Sequence, residues 1–216
     1  MELDYILNST IALLKGFKVT YGLFFSTLIF SLPLGLLIAL ARISRYKVLQ
    51  VFTGTYIWLL RGTPLLLQVF FVYFGLPALG ITLNNMTAAI LAFALNYAAY
   101  FAEIFRSGIQ SISKGQYESA DVLGLTYAQT MRRIIIPQMV KRVLPPVSNE
   151  VITLVKDTAL VFGIGLLDVL RTAQIIVTRD FDITAFIIAA IFYLLNTAVL
   201  TFVFRKLEQI YSYYTI

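Results

Sequence analysis

Two sets of polar residues interrupt otherwise apolar stretches of the chain at helical spacing. Asn96, Tyr100 and Glu103 are spaced i, i+4, i+7, and Glu150, Thr153 and Asp157 are spaced i, i+3, i+7, so each set lies on one face of a helix. Ionisable groups within a membrane-crossing helix are costly and face a bundle interior or a water-filled path, so each of these is a candidate ligand group. At about 1.5 Å per residue, Asn96 and Asp157 both lie roughly 15 Å along their apolar runs, near the middle of a bilayer. The two runs are expected to point in opposite directions, so Glu103 and Glu150 share a second depth, closer to the cytoplasm. This predicts a midplane pocket of Asn96, Tyr100, Thr153 and Asp157, with Glu103 and Glu150 as its lower wall or inner gate. Asp157 would pair with an ammonium group, Asn96 and Thr153 would hydrogen-bond, and a helix N-terminus freed at a Lys156 break would receive a carboxylate. The structural alternative is that Lys156 and Asp157 pair with each other, although adjacent residues point about 100° apart around a helix. Three acids against one lysine favour a basic ligand.

Helices in a membrane must position these groups. Of the 216 residues, 59% are apolar and 13% charged, with a mean hydropathy of +0.84, whereas soluble domains carry roughly 25% charged residues. Cysteine and histidine are absent, which excludes disulfides and thiolate metal sites and removes the commonest metal ligand and general base. The expected fold is therefore all-α, a polytopic membrane protein of one domain over 1–216. The net charge of +6 reflects topology rather than nucleic-acid binding. Eleven of the seventeen basic residues fall in three clusters: Arg42, Arg45 and Lys47; Arg106, Lys114, Arg132, Arg133, Lys141 and Arg142; and Arg205 and Lys206. The positive-inside rule places all three in the cytoplasm.

Five spans follow, at about 19–41, 64–79, 86–105, 147–167 and 183–204, with the N-terminus outside and the C-terminus cytoplasmic. Glu2 and Asp4 do not make a basic leader, so a cleaved signal peptide is not expected. Between the first two spans, residues 47–60 read as an interfacial helix. Pro64 removes a backbone donor and pushes Thr63 out of helical geometry, which predicts a break or kink at Arg61-Gly62-Thr63-Pro64. Pro145-Pro146 suits a helix start near Val147, and an earlier helix from Met139 merging at a kink is the alternative. The segment 168–182 reads as an outer helix or gate.

The long polar stretch 107–142 joins the two spans that carry the candidate pocket. Ser113 and Lys114-Gly115 suit a turn before a short helix over about 116–123, which Gly124 would end. Within it, Glu118, Ser119, Ala120, Gly124, Ile134 and Pro137 match the spacing E-A-A, three residues, G, nine residues, I-x-L-P, with Ser119 in place of alanine and Ile136 in place of leucine. This resembles the cytoplasmic loop of ABC-importer permeases. Arg61-Gly-Thr-Pro-Leu-Leu-Leu-Gln68, Tyr100 to Ile109 and Asn149 to Val161 are similar to segments of the permeases for polar amino acids of the histidine, glutamine and arginine type. The resemblance covers roughly residues 18 to 208.

The resemblance implies a type I importer permease in which the loop forms a coupling helix. Tyr117, Glu118, Ser119, Ala120 and Gly124 would then contact an ATPase, with Glu118 holding the register and Gly124 allowing close approach. It further implies two ATPase subunits, a second permease copy or paralogue, an extracytoplasmic binding protein and an amino-acid substrate, basic by the charge balance above. No G-x-x-x-x-G-K-[ST] occurs, so ATP and magnesium belong to the partner, and the chain is expected to be neither an enzyme nor a cofactor carrier. Two other classes fit buried acids: a secondary transporter using Glu103, Glu150 and Asp157 as a relay, and a channel subunit. The lack of an internal repeat and the docking motif argue against the first. Co-purification with an ATPase would count against the second.

Overall fold

A computed structural model describes residues 2–211, and among them the secondary structure is helical, without strands. Helix α1, Glu2–Arg42, runs unbroken through Pro33. A second helix, α2 (Lys47–Gly62), is followed by α3 (Leu65–Phe70), which widens into a π turn at Phe71–Gly75 and then tightens to a 3-10 turn at Leu76–Leu79. Helix α4 is Asn85–Gln110, capped by Asn84, whose side chain accepts from Thr87 N at 2.9 Å. Two short helices follow, α5 (Lys114–Val122) and α6 (Tyr127–Thr130). A π turn at Met131–Ile135 leads into α7, Ile136–Asp157, which continues as a 3-10 helix at Thr158–Ile164. Helices α8, Val169–Asp180, and α9, Thr184–Tyr211, complete the fold.

Among the described residues, helices α1, α4 and α9 are each long and apolar enough to cross a bilayer, and two bent pairs bring the count to five if each is one span. One bent pair is α2 with α3, turned by 106°; the other is α6 through Ile164 with α8, turned by 57°. The first bend falls where Pro64 was expected to put it. Thr63, at its apex, is extended (φ −122, ψ 149), the geometry the following proline enforces.

Helix α4 is the hub. Ala88, Ala89, Ala92, Ala98, Ala99 and Ala102 are all buried along it, so its neighbours approach closely. Gly35 of α1 sits so near that an added Cβ would lie 2.8 Å from Phe101 Cβ and 3.1 Å from the Ala98 carbonyl. In α4 61% of the most apolar stretch is buried inside the chain, against 6% in α9, so α9 is left for lipid or a partner. The prolines of α7 lie inside the helix, and the chain is helical well before Val147. Side chains on either side of them add bonds to the helix backbone: Gln138 Nε2 donates to the Ile134 carbonyl at 3.1 Å, and Ser148 Oγ to that of Pro145 at 2.7 Å.

Candidate functional site

The α2–α3 bend leaves backbone carbonyls without helical partners, and the structure shows what meets them. Gln68 Nε2 donates to Leu60 O at 2.8 Å, to Thr63 O at 3.1 Å and to Thr63 Oγ1 at 2.8 Å. Asn96 Nδ2, from α4, donates to the same Leu60 carbonyl at 2.9 Å and to Gln68 Oε1 at 3.0 Å. Asn96 is thus buried and committed to holding the bend against the hub. Next to the bend, the Arg61 guanidinium lies over the Tyr100 ring, 5.1 Å from its centre. Arg61 is also near enough to Glu150 and Glu103 to act on both electrostatically.

One residue beyond Asn96, Tyr97 turns toward α7. Its ring is 2% exposed, and its hydroxyl donates to Asp157 Oδ2 at 2.7 Å. Asp157 and Glu150 are half-buried and within electrostatic reach of one another, and Thr153 lies between them in sequence, half-buried as well. Lys156 instead lines a separate groove of about 470 Å³ with Ala159, Leu170, Phe186 and Tyr193. Glu103 sits toward the C-terminal end of α4, where both carboxylate oxygens accept from Arg106, one turn on.

One expectation is corrected. No helix N-terminus is freed at Lys156, because the backbone passes from α7 into the 3-10 helix with Thr158 still right-handed helical (φ −56, ψ −23). The polar Lys156-Asp157-Thr158 run interrupts hydropathy without interrupting backbone bonding, and Thr158 Oγ1 simply donates back to the Val155 carbonyl at 2.7 Å. Two residues absent from the sequence-derived site join it here, Tyr97 and Gln68. Tyr97 carried a usable signal, since a tyrosine deep in an apolar run must find a partner for its hydroxyl. Gln68 follows a proline break by four residues, a place where a side-chain donor can serve freed carbonyls.

The loop between α4 and α7 forms the second region of interest. Helix α5 ends in a Schellman motif: Leu125 N donates to Ala120 O at 3.0 Å and Gly124 N to Asp121 O at 2.9 Å, with Gly124 left-handed at φ +70. Thr126 and Gln129 then form a capping box that starts α6. Glu118 and Ser119 are exposed, Tyr117 is half-buried and Ala120 is buried. Tyr117, Glu118, Asp121, Leu125, Tyr127 and Thr130 line a depression of about 360 Å³, and Val122, Leu123 and Tyr127 project from the tip, each at least three-quarters exposed. Gln138 Nε2 reaches back to Gln116 Oε1 at 3.3 Å, and Arg142 donates to the Ser111 carbonyl, tying the loop to the end of α4 and the start of α7. Among the described residues, no group of three or more acidic side chains could hold a metal ion.

The arrangement is that of a helical membrane protein, and comparison with known proteins gives its family. Residues 31–212 match the family described as "Binding-protein-dependent transport system inner membrane component". The probable amino-acid ABC transporter permease protein YckA of Bacillus subtilis is 38% identical over 99% of this chain and 98% of its own. The arginine transport system permease protein ArtQ of the same organism is 38% identical over 97% of each chain. A putative glutamine transport system permease protein GlnP of Rickettsia bellii is 33% identical over 91% of each. A chain from the crystal structure of an amino acid ABC transporter with histidines superposes with a TM-score of 0.87 at 36% identity, covering 95% of this chain and 96% of that one. A chain of the inward-facing MetNI methionine ABC transporter, 17% identical with a TM-score of 0.72 over 98% and 99%, shares the fold.

The chain belongs to the binding-protein-dependent transport system inner membrane component family and is a membrane-integral permease subunit of an ABC importer with the type I fold. Such subunits are non-catalytic. ATP is hydrolysed by a partner ATPase, and membership of the family implies a substrate-binding protein as well.

Proposed function

We propose that this subunit imports polar amino acids, basic ones foremost, through a site built on Asp157 and Glu150. The observation that carries this reading is the half-buried carboxylate pair on α7, the helix that continues directly from the docking loop. Asp157 and Glu150 receive the cationic groups of the substrate. Thr153 supplies hydrogen bonds, and Tyr100 forms a wall. Arg61, held over Tyr100, takes the role expected of a free helix N-terminus and receives the substrate carboxylate. Asn96 and Glu103 serve the site at one remove, Asn96 by fixing the α2–α3 bend and Glu103 by closing an ion pair with Arg106 at the inner end. That an arginine permease and an amino acid transporter with histidines are among the similar proteins supports the basic preference.

In the assembled importer two such permeases, identical or paralogous, form the pathway. Two ATPases dock on Tyr117, Glu118, Ser119, Ala120 and Gly124, and a binding protein delivers substrate from outside. The N-terminus lies outside and the C-terminus in the cytoplasm. The chain needs no cofactor of its own. ATP binding draws the coupling helices together, and α4 and α7, tied to the loop through Ser111 and Gln138, carry the motion to the carboxylates.

The test is reconstitution with the ATPase and binding protein, scanning amino acids for stimulated ATP hydrolysis in the wild type and in Asp157→Asn. Arginine, lysine or histidine should stimulate the wild type, and Asp157→Asn should lose most of that response. If no amino acid stimulates the wild type, or if uptake runs on an ion gradient without ATP, the proposal is wrong.

A further inference from the structure

We infer that Tyr97 is a positioning residue for the substrate site, orienting the Asp157 carboxylate so that one oxygen stays available to the ligand. This rests on the reading of Asp157 as a ligand group. A phenol has a single proton to give, and Tyr97 gives it to Oδ2 at 2.7 Å. A carboxylate accepts through two oxygens, so Oδ1 is left over. The terminal torsion of an aspartate is broad and nearly two-fold, and without a fixed donor the group rotates freely. Tyr97 itself has little freedom. It is 2% exposed, and its ring contacts Phe93 at 6.4 Å, Phe101 at 6.2 Å and Tyr100 at 6.3 Å between centres. The preceding residue, Asn96, is bonded to Leu60 and Gln68 and locks the rotation of α4 at this level. Thus the donor is held by a ring stack and a helix-bend clamp, and the acceptor lies on the helix that leads to the coupling loop. A bond with a purely structural task would tie α4 to α7 and have no bearing on ligand affinity.

The experiment is titration calorimetry of arginine into the purified permease–ATPase complex in nanodiscs. It compares wild type, Tyr97→Phe, Asp157→Asn and the double variant, with thermal unfolding of each complex followed in parallel. Tyr97→Phe should weaken arginine binding by about tenfold, the range for a lost hydrogen bond to a charged group, with little change in thermal midpoint. Asp157→Asn should weaken it at least as much, and the double variant should match Asp157→Asn, because a carboxylate that is gone needs no orientation. Equal losses from Tyr97→Phe in both backgrounds would mean that Tyr97 acts on affinity without Asp157, and unchanged affinity in Tyr97→Phe would make it a structural tie; either result overturns the inference alone. Unchanged affinity in Asp157→Asn would instead overturn the substrate reading beneath it. Should Tyr97→Phe not be recovered folded, the double variant against Asp157→Asn keeps the inference open to failure: weaker binding by the double variant overturns it.

Discussion

In the turn from Ala120 to Thr130 the bonds that shape the backbone close within five residues, whereas the intramembrane region depends as well on bonds that span 28 to 79 positions of sequence. Leu125 to Ala120, Gly124 to Asp121 and the Thr126–Gln129 box are complete before any other helix arrives. Tyr97 to Asp157, Asn96 to Leu60 and to Gln68, and Asn85 Nδ2 to the Ile164 carbonyl at 2.6 Å each need two packed elements. The two regions face different solvents. In water a loop keeps its shape through local caps, and its outward side chains stay free for a partner protein. In lipid no water rescues an unpaired group, so polar side chains from separate helices must find each other. The ties through Ser111 and Gln138 are where the self-contained piece grips the long-range one.

The largest effect should come from breaking the local motif. Gly124 sits at φ +70 with no described atom within 4 Å of where a Cβ would stand, so the backbone angle is its internal constraint. A β-branched residue there is strained by about 1–2 kcal/mol. Gly124→Val should leave a folded membrane protein yet cut substrate-stimulated ATP hydrolysis and uptake by tenfold or more. Gly124→Asn, which adopts this conformation more readily, separates the causes: retained transport assigns the defect to the turn, and lost transport assigns it to contact with the ATPase. Gly124→Asp should leave a folded membrane protein but uncouple transport from ATP hydrolysis, and normal uptake by that variant would count against the docking role.

A second break belongs to the long-range region. Gln68→Ala removes the donor to Leu60 and Thr63 and strands Asn96 with one partner fewer. At about 1 kcal/mol per net hydrogen bond, a fall in thermal midpoint of several degrees is expected, with uptake reduced several-fold because Arg61 is no longer held at the bend. Unchanged uptake would detach the bend from the site. Gly35→Val tests the packing of the hub: a branched side chain would press on Phe101 and the Ala98 carbonyl, costing about 1–3 kcal/mol. The expected reading is a lower midpoint with wild-type substrate preference.

The smallest effect is expected at the start of α9, outside the membrane. Hydrogen bonding from the Thr184 side chain, and after it the Thr184 N bond to Asp182 Oδ1 at 2.7 Å, holds the Asp182 carboxyl below the usual carboxylate range. A depressed folded value means the cap contributes fully above the ordinary carboxylate pKa of about 4 and loses its contribution as pH falls through the lower folded value. Asp182→Asn should therefore lower the thermal midpoint slightly at pH 7 and leave it unchanged in strong acid. A difference that persists in acid would rule out this cap as its source.

Sequence alone settled whatever depends on nearest neighbours or on solvent. Apolar runs declared membrane helices, Pro64 declared the bend, and Gly124 after Glu118-Ser119-Ala120 declared the turn that ends α5. These are local preferences, carried by each residue's own backbone and its few neighbours. Helical spacing also put Asp157, Thr153 and Glu150 on one face, since they share one helix. Tertiary structure decided which of those groups are free. Asn96 and Glu103 had the right spacing for a pocket, yet packing gave Asn96 to a carbonyl 36 positions away and Glu103 to Arg106 on its own helix. Packing likewise brought Tyr97 and Arg61 to the carboxylates, because in a bilayer a polar side chain is satisfied by whichever helix lies beside it, and that neighbour is fixed only when the bundle closes.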